Sequence, residues 1–197
     1  MLKLVQSLAG FAFAAALVAA CTNSATAEVL FRYFDPTSQK WETVGSPRAN
    51  RSLIERELVD YEGPYGANTV VINTAERRLY HVLDDGKAMK YGIGVGREGF
   101  QWAGTHRISR KAEWPGWTPP EAMRKRQPDL PPYMEGGPNN PLGARALYLG
   151  STLYRIHGSN EPWTIGHAVS SGCIRMRNED VIELYGRVGV GTKVMVI

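Results

Sequence analysis

The sequence predicts a mainly β domain, on three observations. At 197 residues, 43% apolar and 21% charged, the chain buries one good core and has little room for a second. Between residues 68 and 109, four runs of β-branched or alternating residues follow one another, parted by glycines and turn formers. Full helix signals occur together in a single stretch near the end, residues 178–189.

The chain starts on an export signal. Lys3 carries one positive charge, an apolar stretch follows, and no charged residue appears until Glu28. The apolar centre, interrupted by Gln6 and Ser7, is short for a stable membrane span. Two exits from residues 1–27 are open. Val18-Ala19-Ala20-Cys21 resembles the lipobox of bacterial lipoproteins, in which the cysteine is lipidated and becomes the new N-terminus; this exit is slightly favoured. Ala25-Thr26-Ala27 before Glu28 fits small-x-small cleavage. Either exit puts the domain outside the cytoplasm, in a periplasm or cell envelope, with a membrane tie only through lipid on Cys21. Residues 28–66 mix short apolar stretches with turn formers and read as an N-terminal extension, which leaves residues 67–197 as the main domain.

Within that domain, Asn68–Thr74 is β-branched and Arg78–Leu83 alternates before Asp84-Asp85-Gly86, a strand, turn and strand. His81, on the second strand, reads as a surface residue. Lys90–Gly96 is a third strand. Its Gly92-x-Gly94-x-Gly96 is no phosphate loop, because no helix opens after it, and the glycines mark a bulge or a close backbone approach. Gly104–Ser109 is a fourth strand, with His106 in a core or lining position. Lys111–Gly143 holds eight of the twelve prolines together with Trp114 and Trp117, so it is a long loop that its indoles keep ordered. Arg145–Gly150 and Ser151–Ile156 are two short strands. Asn178 is the expected N-cap of the one helix, Glu179 and Asp180 fill its first turn, Arg187 its last, and Gly189 stops it. Val181, Leu184, Tyr185 and Val188 share a face that packs on the sheet. Thr192–Ile197 closes the chain as a strand.

Charge excludes one class of partner. Loss of residues 1–27 removes Lys3 alone from a net charge of +4, leaving +3, and Arg124-Lys125-Arg126 is too short a basic run to track nucleic acid. Cysteine usage points the other way, toward chemistry. Exported proteins usually pair their cysteines, yet with Cys21 lipidated or cleaved off, Cys173 has no partner. A lone thiol is either a small buried hydrophobe or a nucleophile. His157, at a strand end sixteen residues before it, offers a base, and the turn Ser170-Ser171-Gly172 offers backbone N–H groups for an oxyanion.

These residues resemble a known family. His157-Gly158-Ser159, Ile165-Gly166 and Ser170-Ser171-Gly172-Cys173-Ile174-Arg175-Met176 are similar to the signature of the L,D-transpeptidase catalytic domain, and the resemblance runs over about residues 67–197. It implies a β-sandwich or barrel-like core and a bacterial cell-wall enzyme that takes an acyl group from a peptidoglycan stem peptide onto cysteine and passes it to an amine, a wall-attached protein being one such acceptor. It implies Cys173 as nucleophile, His157 as general base, the Gly172 N–H as oxyanion donor, no cofactor, and capture by carbapenem β-lactams. Ser170, Ser171, Trp163, His167 and Arg175 are the candidates to bind substrate, Arg175 with a structural salt bridge as its equal alternative. The family commonly writes Ser-His-Gly-Cys where this chain has Ser170-Ser171-Gly172-Cys173; the base aligns with His157, so Ser171 mainly shapes the turn.

Rival readings are weaker. A zinc site from His106, His157, His167 and Cys173 lacks the short ligand spacings such sites show. A sortase-like transpeptidase shares the order histidine, cysteine, arginine but separates them widely. A wall-binding module stacking ligands on Trp114, Trp117 and Trp163 has no need of His157 and Cys173.

Overall fold

The computed structural model describes residues 52–197 and, as backbone strands, residues 31–35 and 40–44. Cys21 and both signal exits lie outside the described residues. Strands β1 (Phe31–Asp35) and β2 (Lys40–Val44) pair antiparallel as a two-stranded sheet.

The body is built on β3 (Glu57–Asp60), β4 (Thr69–Asn73), β5 (Arg78–Val82), β6 (Lys87–Gly92), β8 (Gly104–Glu113), β9 (Arg145–Leu149), β10 (Arg155–His157), β12 (Ile174–Arg175) and β13 (Lys193–Val196). They form one nine-stranded sheet in the order β12-β10-β9-β8-β13-β4-β5-β6-β3. Short strands β7 (Val95–Gly96) and β11 (Ala168–Ser170) pair parallel beside it. Four consecutive β4 residues, Thr69 to Ile72, are buried, as expected of a strand covered on both faces. The last strand, β13, lies mid-sheet, parallel to β4 and antiparallel to β8.

Val70 and Ile72 of β4, Tyr91 of β6, Leu147 and Leu149 of β9, Ile156 of β10 and Val194 of β13 belong to one buried cluster. A flat sheet cannot bring its opposite ends to one core, so the sheet is curved around it. Gly94, just past β6, completes the closure by exchanging two 2.9 Å backbone hydrogen bonds with Arg175 on β12. This contact also interrupts the expected third strand, which ends at Gly92 and resumes as β7. A Cβ on Gly94 would stand 3.0 Å from the Thr164 carbonyl, so the glycine marks a close approach.

Helix α2 (Asn178–Arg187) packs Val181 and Leu184 into the same cluster, with Val188 just past its end and Tyr185 against it. Its cap differs from the expectation. Arg177 occupies the N-cap position, and the Asn178 side chain accepts from the Ala144 N–H at 2.8 Å, fixing the end of the long loop. Asp180, fully buried in the first turn, is held by Arg177 and Arg56. At the other end the Lys111 ammonium donates to the Tyr185 and Val188 carbonyls, the charge a helix C-terminus favours.

Other elements depart from the sequence reading. Strand β8 runs on to Glu113, and the loop after it contains a second helix, α1 (Glu121–Arg126), none of whose residues is buried. Without an apolar face it left no periodic signal. The loop is ordered as expected, its limbs tied by reciprocal 2.8 Å hydrogen bonds between Trp117 and Met134. Residues 151–154 are a turn, because the Thr152 hydroxyl donates to the Leu149 carbonyl at 2.7 Å and accepts the Tyr154 N–H. His81, expected at the surface, is buried, with neither ring nitrogen hydrogen-bonded.

Candidate active site

Strand register assembles the site. β10 and β12 run parallel with Ile156 opposite Ile174 and His157 opposite Arg175. Both isoleucines are buried in the core, and side chains alternate along a strand, so Arg155, His157, Cys173 and Arg175 share the other face. Fifteen residues of intervening chain thereby return Cys173 to a diagonal position beside His157. The same grouping is felt electrostatically, since Arg155 and Arg175 both act on His157 and on Cys173.

His157 Nδ1 lies 2.5 Å from the Gly158 carbonyl. A carbonyl only accepts, so Nδ1 carries the proton and Nε2 keeps the lone pair that a base needs. The residue is 4% exposed. Burial first, and Arg175 second, push its pKa down to about 3. Burial raises the Cys173 thiol above its ordinary value, against the opposing pull of Arg155, and Sγ lies 3.8 Å from the Leu153 carbonyl, which accepts from it. The resting pair is therefore a neutral thiol beside a neutral imidazole.

The turn before Cys173 is held by several hydrogen bonds to its backbone. Gly172 has φ +106°, which L side chains rarely adopt. Its N–H donates to Ser170 Oγ at 3.1 Å, while the Ser170 hydroxyl donates to the Cys173 carbonyl at 2.6 Å. Its carbonyl accepts the Trp102 indole N–H at 2.6 Å. A Cβ on it would fall 2.5 Å from Tyr154 Cε1. The Gly172 N–H, expected to stabilise an oxyanion, is thus already engaged by Ser170. Among the described residues the Cys173 N–H makes no hydrogen bond, and it is the donor left available.

The other expected site residues are less uniformly placed. Arg175 forms an ion pair with Glu161 at 2.6 Å and reaches Thr164 Oγ1 at 3.4 Å, so its charge is matched within the protein. Ser171 Oγ accepts from Arg97 at 3.4 Å. Trp163 sits half-buried on the 3₁₀ turn Pro162–Thr164, and His167 is exposed beyond it. His106 stays apart, its ring edge-on to Trp102 at 5.1 Å. Among the described residues no three His, Cys, Asp or Glu side chains gather as metal ligands.

Sequence reasoning missed Arg155, Trp102 and Tyr154. Arg155 was within reach, because a residue two before His157 on a strand shares its face. Trp102 comes from a loop seventy residues before Gly172 and carries no local signal. A cavity of about 470 Å³ opens beside the turn, lined by Thr74, Val95, Gly96, Phe100, Trp102 and Ile174 among others.

Known proteins share much of this sequence and fold. The family model of the L,D-transpeptidase catalytic domain matches residues 67–196. Two Escherichia coli K12 proteins align over 137 residues, 65% of this chain: Probable L,D-transpeptidase ErfK/SrfK at 43% identity over 43% of its length, and Probable L,D-transpeptidase YbiS at 42% over 44%. The chain spans less than half the length of these relatives. Among solved structures, a Brucella melitensis protein titled Probable carnitine operon oxidoreductase is 44% identical, covering 74% of this chain and 95% of that one with TM-score 0.50. An L,D-transpeptidase from Mycobacterium smegmatis, 19% identical, covers 66% of this chain and 58% of its own with TM-score 0.52, a likeness of fold. By the extent of the family match, over residues 67–196, this chain belongs to the L,D-transpeptidase catalytic domain family.

Proposed function

We propose that the protein is an exported peptidoglycan L,D-transpeptidase that works through a thioester on Cys173. The observation that carries this reading is the pairing of two features on one sheet face: a histidine whose lone pair is fixed on Nε2, and a thiol whose own amide N–H is unengaged.

The step begins as Nε2 of His157 takes the thiol proton when sulfur attacks the acyl carbon of a stem peptide. An S–C bond forms, and the carbonyl π pair moves onto oxygen, where the Cys173 N–H donates to it. That pair then returns as the C–N bond breaks. The leaving amine takes the proton held on Nε2, so the thioester forms with His157 neutral again. An acceptor amine attacks the thioester in turn, gives its proton to Nε2, and the thiolate leaves and recovers that proton. Coupling proton transfer to attack suits a pair that is neutral at rest, because neither charge is held in the buried site beforehand.

The acceptor is another stem peptide, a wall-attached protein, a D-amino acid or water. The loop 114–143, through its ordered Trp117–Met134 bridge, is where this choice is made. Trp163, Ser171 and His167 form the rim, and Arg175 acts through Glu161 by fixing the loop 158–165. Residues 67–197 carry the reaction and residues 1–27 direct export, with Cys21 as a lipid anchor to the membrane. Among the described residues no helix is long and apolar enough to cross a membrane.

Replacing the nucleophile tests the reading. Cys173→Ala should leave thermal unfolding nearly unchanged and abolish acyl transfer between stem peptides. Turnover in that variant, with wild-type protein active, would refute the cysteine mechanism.

A further inference from the structure

We infer that Trp102 is a positioning residue: by holding the Gly172 carbonyl, its indole N–H aims the Cys173 N–H at the site where the oxyanion forms. The inference rests on the acyl-transfer reading above.

The argument starts from the peptide linking Gly172 to Cys173. It is planar, and the described chain has no cis bond, so the Gly172 carbonyl and the Cys173 N–H point in opposite directions. Whatever fixes the one fixes the other. Gly172 cannot fix it alone, since a glycine at φ +106° has wide freedom on either side of its Cα. Trp102 supplies the constraint through the 2.6 Å hydrogen bond to the carbonyl. The indole is itself held, stacked on Tyr154 with centroids 4.3 Å apart and planes 2° from parallel, and met edge-on by His106. Tyr154 then lies against the Gly172 Cα, where no side chain fits. Two stacked rings thus grip one peptide, and the N–H they leave exposed on its far side is the one that makes no hydrogen bond among the described residues.

Two reactions of the same thiol separate this role from general support of the fold. Acetylation by 4-nitrophenyl acetate forms the S–C bond, places charge on the carbonyl oxygen and expels 4-nitrophenolate. Reaction with methyl methanethiosulfonate forms an S–S bond and expels methanesulfinate, with no carbonyl oxygen to stabilise. Trp102→Phe keeps the ring stack and removes the donor. It should slow acetylation of Cys173 by between about tenfold and a hundredfold, up to the loss typical of an oxyanion donor, while the thiosulfonate rate stays within about twofold. Replacement of Trp102 by 3-benzothienylalanine keeps the bicyclic outline with sulfur in place of N–H, and carries the same expectation without relying on Phe to fill the site. Rates that fall together, or an acetylation rate that does not fall, overturn the inference. A wild-type protein that reacts with the thiosulfonate but resists acetylation overturns the acyl-transfer reading itself, a different result from either.

Discussion

Gly172→Ala puts the shape of the nucleophile turn to a quantitative test. Two separate loads fall on the new methyl group. The backbone at φ +106° is rarely open to an L residue, which costs about 1–3 kcal/mol. The Cβ also lies 2.5 Å from Tyr154 Cε1 and 3.1 Å from Cδ1, well inside carbon–carbon contact, and Tyr154 cannot retreat freely because Trp102 is stacked on its ring. Overpacking of this kind costs about 1–3 kcal/mol. A total near 4 kcal/mol lowers Tm by roughly 8–16 °C in a domain of this size. The assay is urea unfolding of a four-protein cycle with Tyr154→Ala. In the Tyr154→Ala background only the backbone load remains, so Gly172→Ala should cost about 1–3 kcal/mol less there. An equal cost in both backgrounds would show that Tyr154 does not shape this turn.

Further outcomes are expected from the same geometry. His157 and His81 are both held below the ordinary value of 6.5, chiefly by burial, so below that pH the unfolded chain binds more protons and stability falls as pH drops. His81→Leu should flatten the pH dependence of the urea midpoint between pH 7.5 and 5; an unchanged slope refutes the assignment. Asn178→Ala removes the acceptor of the Ala144 N–H and should cost about 1–3 kcal/mol, measured by the same unfolding. Glu161→Gln leaves the partly buried Arg175 charge without its partner, and should raise proteolytic nicking in residues 158–167 while Cys173 still reacts with a thiosulfonate. Intact-mass spectrometry should find one carbapenem adduct on wild type and none on Cys173→Ala; equal yields would exclude Cys173 as the site.

The parts legible in the sequence are those whose cause is local. Val70, Val71 and Ile72 announce a buried strand because three β-branched residues in a row suit a covered sheet, and α2 shows its face because four apolar residues recur at helical spacing. Cys173 stands out by residue type, being one of two cysteines in the chain, and His157 by ending the strand before it. The rest depends on partners distant in sequence. Nothing near Asn178 says that its amide serves Ala144 and not its own helix. Arg175 is matched by Glu161, and the Gly172 N–H by Ser170, only once the loop has folded. His81 shares the inward phase of its strand with Leu79, so its burial follows from position, and only its polar ring suggested solvent. Helix α1 was invisible for the opposite reason, because it buries nothing.

The central place of β13 has a consequence in time. No strand of the β4-β5-β6-β3 half pairs with a strand of the β8-β9-β10-β12 half; Lys193–Val196 lies between them, in register with Thr69–Ile72 on one side and Gly104–Arg107 on the other, and the Gly94–Arg175 bridge links their far ends. During synthesis each half is ready long before this strand emerges, and neither has a partner for the edge it exposes. Pairings between residues more than a hundred positions apart make folding slow. Insertion of β13 between the two halves is therefore expected to come late in folding.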